Sequence, residues 1–259
     1  MNDPKFLKIA KKAALEAGKI ISKYYGEKHE LNYKHEDRSD FATKADVEAE
    51  EKIVKILTKN FPNHNIIAEE KNRINKGSAY TWVIDPLDGS LFYIKGLSLF
   101  AVSIGLLQNN QPVLGVIYDV SAKNLYFAQK GKGAYLNDKP IAVSKEHDLE
   151  AAVVDMDFGH KARRLQKLES YIITLADKMG YLCALGPAVG ILGLVAKGSL
   201  DAYVVTAWIW DFAAGVAIVK EAGGKVTDFE GKELDWSKDR LNIIASNGLI
   251  HDQILEALK

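Results

Sequence analysis

The run Trp82-Val-Ile-Asp-Pro-Leu-Asp-Gly-Ser90 carries two carboxylates, Asp85 and Asp88, three residues apart around a proline. An apolar, strand-like segment delivers them, and a Gly89-Ser90 step follows where a helix could open. Two acids this close repel one another unless a cation or a solvated turn relieves them. Magnesium favours carboxylate and phosphate oxygens, and a helix N-terminus favours anions. The spacing points to metal-assisted phosphate chemistry, although an Asp-Pro-x-Asp-Gly run also suits an ordinary turn.

Three other places carry acids in contexts that a solvated surface does not require. They are Asp40-Phe-Ala-Thr-Lys-Ala-Asp46, the pair Glu69-Glu70 directly after Ile66-Ile67-Ala68, and Asp211 between Trp208-Ile-Trp210 and Phe212-Ala-Ala-Gly215. Each has a local alternative. Thr43 and Asp46 have capping-box spacing, Glu69-Glu70 suits a solvated strand end, and Asp211 could cap the helix after it. Taken together, carboxylates at several element ends are what a magnesium cluster needs. Such ions polarise a phosphoryl oxygen, generate hydroxide and stabilise a leaving alkoxide.

The elements that must position these acids follow from periodicity. Apolar residues recur at helical spacing from residue 4 to about 25 and again from about 44 to 59. Runs 65–68 and 81–84 suit strands. The segments 100–108 and 112–118 flank Asn109-Asn110-Gln111, and 125–129 and 134–136 flank Gly131-Lys-Gly133, so the middle is an antiparallel meander. After about residue 149 strands and helices alternate. Strands are expected at 151–156, 181–185, 201–205, 225–227 and 242–245, and helices at 163–179, 187–197, 211–222 and 251–258. Layered mixed α/β architecture follows, with halves 1–149 and 150–259 forming one compact unit.

The 34 basic residues balance 34 acidic ones, so no global field draws in a nucleic acid polymer or an anionic membrane. Phosphate binding must come from local design. The one cysteine, Cys183, permits no internal disulfide and sits in an apolar context that suits a buried thiol. No apolar run reaches the roughly 18 residues of a membrane span, and a cytoplasmic protein is expected.

The four acidic elements, in this order and spacing, resemble the inositol monophosphatase family of magnesium-dependent, lithium-sensitive phosphatases. Phe100-Ala-Val-Ser-Ile-Gly105, Gly131-Lys-Gly-Ala-Tyr135 and Glu221-Ala-Gly-Gly224 are similar to that family as well. The resemblance implies an αβαβα sandwich, a homodimer, and about two to three magnesium ions. By the same resemblance Glu69, Asp85 and the carbonyl of Leu87 hold one ion, and Asp85 bridges to a second held by Asp88 and Asp211. Asp46 and the Ser90 hydroxyl orient and deprotonate the attacking water, with Glu70 acting one layer further out. Asp88, Gly89, Ser90, Gly186 and Ala188 face the substrate. A non-catalytic regulator would have lost one of the acids, and none is lost.

Departures from the family pattern bear on the substrate. Ala68 stands where glycine is usual, Ser90 where threonine is common, and Leu91-Phe92 replaces a small polar pair. Segment 202–210 lacks the glutamate that reads inositol hydroxyls in relatives, which predicts weak discrimination. The expected substrate is a small sugar or polyol phosphate, most directly inositol 1-phosphate. Fructose 1,6-bisphosphate is the first alternative, with His160-Lys-Ala-Arg-Arg164 offering cations for a second phosphate. Then come 3′-phosphoadenosine 5′-phosphate, whose base Trp208 and Trp210 could stack on, and histidinol phosphate.

Overall fold

Small residues set the first layer. Ala10, Ala13, Ala14, Ala17 and Ile21 make one buried stripe along α1 (Pro4–Tyr24). This computed structural model describes residues 4–28, 30–33, 41–159 and 161–259, so Asp40, His160 and most of the polar stretch 27–40 lie outside the described residues. Two short strands, β1 (Asn32–Tyr33) and β2 (Phe41–Ala42), pair antiparallel before α2 (Lys44–Asn60). Helix α2 packs beside α1, with Ala45, Ala49, Ile53 and Leu57 facing inward.

Both helices lie on an eight-stranded sheet. Its members are β3 (Asn65–Ala68), β4 (Arg73–Ile74) and β5 (Tyr80–Asp88); a single helical turn, α3 (Ser90–Ile94), separates β5 from β6 (Ala101–Gln108). The meander continues as β7 (Gln111–Asp119), β8 (Asn124–Gln129), β9 (Ala134–Leu136) and β10 (Lys139–Ile141). The order is β10-β9-β8-β7-β6-β5-β3-β4, antiparallel except where β3 runs beside β5. Asn109 and Asn110 take left-handed φ of 49° and 58°, which closes the expected hairpin with the twist that strands prefer.

The second half alternates. After β11 (Val153–Met156) come α4 (Lys161–Lys167), a π turn (Leu168–Ile172), α5 (Ile173–Ala176) and β12 (Tyr181–Cys183). Then follow α6 (Ala188–Ala196), β13 (Ala202–Trp208), α7 (Ile209–Glu221), β14 (Lys225–Thr227), β15 (Arg240–Ser246) and α8 (His251–Ala257). These strands form a five-stranded sheet ordered β12-β11-β13-β15-β14.

Helix α7 is apolar nearly all round because it sits between the two sheets. Gly115 of β7 permits the approach, since a Cβ there would lie 2.1 Å from the carbonyl oxygen of Ala214. One apolar core joins the first sheet, α6, α7 and the second sheet. A second lies under α1 and α2, and a third lies between the second sheet, the π turn, α5 and α8. The layers therefore run αβαβα, as expected. Among the described residues no helix is long and apolar enough to cross a membrane.

Three expectations are corrected in detail. The helix foreseen over 163–179 is broken by the π turn. Before the turn Lys167 pairs with Asp157, and within and after it Tyr171, Ile172 and Leu175 face the core. Strand β5 runs on through Asp85 and Asp88, with a register shift against β6 between them, where a turn was one option. Helix α7 begins at Ile209, so Asp211 lies inside its first turn.

Candidate active site

Strand β5, α3, α7 and the loop before α6 meet around a cavity of 590 Å³. Asp85, Asp88 and Asp211 bring one carboxylate oxygen each to within 4.8 Å of one another there. The register shift is what makes this possible. In a regular strand residues 85 and 88 would point to opposite faces, whereas the irregularity swings both acids to the same end of the sheet. Glu69, at the end of the parallel neighbour β3, joins them, and its amide donates to the carbonyl of Ile84 at 3.2 Å.

Each acid is fixed through one oxygen by a main-chain amide. Leu87 N donates to Asp85 Oδ1 at 3.0 Å, Val189 N to Asp88 Oδ2 at 2.7 Å, and Trp208 N to Asp211 Oδ2 at 2.8 Å. Asp46 follows the same rule, since its Oδ2 accepts from Thr43 N at 2.7 Å. The capping box at Thr43 is therefore real, and it coexists with a second task. Asp46 Oδ1 lies 2.6 Å from Ser90 Oγ, which is also 2.9 Å from the carbonyl oxygen of Leu87.

Electrostatics show how crowded the cluster is. Burial first, and then the charges of Glu69, Asp88 and Asp211, push the Asp85 carboxyl well above its ordinary range. Asp211 is raised likewise by burial, Asp88 and Glu69. Asp88 opens partly onto the cavity, yet burial raises it to about 7 against the pull of the Val189 amide. An all-oxygen donor set whose members repel one another fits a hard divalent cation, which would relieve both the repulsion and the lost hydration. The residues present thus suit magnesium.

Gly89 and Ser90 line the same cavity, as do Leu87, Gly186 and Ala188. Gly89 has φ of 89°, and a Cβ there would lie 2.5 Å from both Leu99 O and Pro187 Cγ, so only glycine fits. Of the sequence-predicted site residues, Glu70 and Asp46 do not line the cavity. Asp46 is fully buried behind Ser90, and the Glu70 amide is tied to Glu50 Oε2 at 2.7 Å.

Several residues escaped the sequence reading. Glu50 is 1% exposed and accepts from the amides of Glu70, Lys71 and Asn72 and from Asn72 Nδ2, clamping the turn that carries Glu69. Its signal was available, because Glu50 lies one helical turn after Asp46 on the apolar face of α2. The same cavity is lined by Arg163, Lys167, Trp208 and Arg240. Lys167 is buried and pairs with Asp157 Oδ2 at 2.5 Å. The Tyr203 hydroxyl is buried at the cavity without a hydrogen-bond partner among the described residues.

Comparison with known proteins gives a consistent result. The model described as the inositol monophosphatase family matches residues 2–259. A fructose-1,6-bisphosphatase/inositol-1-monophosphatase of Aquifex aeolicus is 36% identical over 262 residues, covering 100% of this chain and 97% of the relative. Nus factor SuhB of Pasteurella multocida is 37% identical, covering 87% of this chain and 85% of the relative. Among solved structures, the extragenic suppressor protein suhB of Bartonella henselae superposes with a TM-score of 0.90 at 33% identity, over 98% of both chains. The inositol monophosphatase of Anabaena gives 0.86 at 35% identity, over 98% of this chain and 95% of the other.

Proposed function

The chain belongs to the inositol monophosphatase family and is a phosphatase of that family, and from this premise we propose that it hydrolyses a small sugar or polyol phosphate with magnesium, inositol 1-phosphate first. The observation that carries the reading is the fixed triplet Asp85, Asp88 and Asp211 beside the Ser90–Asp46 pair.

In this reading Glu69, Asp85, the Leu87 carbonyl, Asp88 and Asp211 hold the magnesium. When bound, it supplies Lewis acidity toward the phosphoryl oxygen and the departing alkoxide. Ser90 Oγ orients the attacking water, accepts its proton and passes its own to Asp46 Oδ1, which lies 2.6 Å away. The buried capping contacts keep Asp46 aimed at Ser90 throughout. Gly89 and Ser90 offer main-chain amides to the phosphate, and the left-handed φ of Gly89, packed against Leu99 and Pro187 where no Cβ fits, fixes the turn that presents them. Gly186 and Ala188 form the wall against the alcohol portion. Glu70 contributes through the Glu50-held turn that carries Glu69.

The order of substrates rests on the far wall. Trp208 and Trp210 stack on each other at 5.1 Å, with Arg240 over Trp208 at 4.7 Å and Arg73 over Trp210 at 5.8 Å. These contacts compete with an adenine for the indole faces. A homodimer belongs to the same reading, supported by the exposed apolar residues Leu91, Leu97, Leu99 and Leu185. The test is phosphate release from inositol 1-phosphate, fructose 1,6-bisphosphate, 3′-phosphoadenosine 5′-phosphate and histidinol phosphate, with magnesium and with added lithium. Preference for the nucleotide would overturn the sugar and polyol assignment.

A further inference from the structure

Glu69 and Asp211 reach the acidic cluster from different halves of the chain, Glu69 from the turn after β3 and Asp211 from the first turn of α7. Their spacing depends on what ties that turn to that helix. The Glu50 carboxylate holds the amides of Glu70, Lys71 and Asn72. Directly after them β4 begins at Arg73, whose Nη1 and Nη2 both donate to Asp239 Oδ1 at 3.2 Å. The same guanidinium lies 5.8 Å from the ring centre of Trp210, the residue before Asp211. Asp239 in turn accepts from Ile209 N through its own carbonyl at 2.9 Å, where α7 opens. Among the described residues, Arg73–Asp239 is the only ion pair that joins the half 1–149 to the half 150–259.

Resting on the metal assignment of the phosphatase reading and deepening it, we propose that Arg73 and Asp239 are positioning residues, a latch between the two halves that holds Glu69 at magnesium-binding distance from Asp211. Both side chains are exposed, and an ion pair of that kind contributes little to global stability. What it fixes is geometry, because a planar guanidinium that donates twice and lies against an indole has few orientations left. Untied, the turn would be free to swing outward and relieve the repulsion between Glu69 and Asp211. Magnesium would then have to draw the turn back, and affinity would be lost to that reorganisation. Neither Arg73 nor Asp239 lines the cavity, so the latch acts on the metal ligands and not on the substrate.

The experiment is calorimetric titration of the full chain with magnesium, without substrate, in the wild type and in R73A, R73K, D239A and the double variant R73A/D239A. The dissociation constant is expected to rise about tenfold in R73A. The rise should be smaller in R73K, which keeps the charge and loses the planar group. The double variant should add little to R73A, because both substitutions break one link. Turnover at saturating magnesium and the Tm of the metal-free protein should stay close to wild type, since the acids and the core are untouched. Unaltered magnesium affinity in R73A and D239A overturns the latch, as does a loss in the double variant equal to the product of the two single losses. A large fall in metal-free Tm marks a merely structural pair and overturns it too. A wild type that binds no magnesium overturns the latch and the metal assignment together. One that binds magnesium yet releases phosphate from no ester fails the phosphatase reading alone.

Discussion

The two walls of the cavity are built on different principles. On the acidic wall, Asp85, Asp88, Asp211 and Asp46 each surrender one oxygen to a main-chain amide, so their positions are dictated by the backbone. On the cationic side, Arg163 and Arg240 lie against the ring of Trp208. The first arrangement costs repulsion and desolvation before any ligand arrives, and it fixes geometry closely. The second is cheap to form and easy to alter. Reaction chemistry demands placement within a fraction of an ångström, whereas choice of an alcohol needs only a matching charge and shape.

The hardest blow to this contrast is Asp88→Asn. The amide oxygen can still accept from Val189 N, so the loop before α6 stays anchored. Magnesium-dependent turnover is nonetheless expected to drop by at least about 10³-fold, while thermal unfolding without metal is unchanged or improved. Retained turnover in that variant would dismantle the acidic wall as a metal site. Next comes Glu50→Ala, which strands three amides and the Asn72 side chain. Activity should fall about 10–100-fold, and denaturant titration should show a loss of about 2–3 kcal/mol.

A pH series sharpens the comparison without mutation. Carboxyls raised in the fold, Asp88 to about 7 and Asp85 and Asp211 well above their ordinary range, contribute stability below their ordinary value near 3.8 that is lost as pH rises through the folded value. The metal-free protein should therefore melt at lower temperature at about pH 8 than at about pH 5. Saturating magnesium should flatten that slope, and a metal-free Tm that climbs over the interval would contradict the burial argument. The smallest effect is expected from Trp208→Leu. It removes the ring beneath Arg240 in the cavity and should change KM about three- to tenfold and shift kcat less, in steady-state assays.

Much of the acidic wall was legible because its residues sit in short runs. Asp85 to Ser90 is one continuous stretch, and Asp46, Glu69 and Asp211 each lie beside an element end that periodicity marks. The αβαβα order was legible for the same reason, since hairpin signals and helical spacing are local. What escaped was assembled from afar. Arg240 meets Trp208 only through the pairing of β13 with β15, and Lys167 meets Asp157 across the loop that leads into α4. Glu50 was overlooked because an acid within an apolar stripe looks like a simple interruption until the amides it serves are seen.

The π turn after α4 also bears on how such a protein could change over generations. A π turn holds one residue more than the regular winding it replaces. The segment before it, with Arg163 and Lys167, is thereby uncoupled from the segment after it, whose Tyr171, Ile172 and Leu175 are committed to the interior. Insertion or loss of a residue at this joint would rotate Arg163 and Lys167 relative to the cavity and leave the packed side in register.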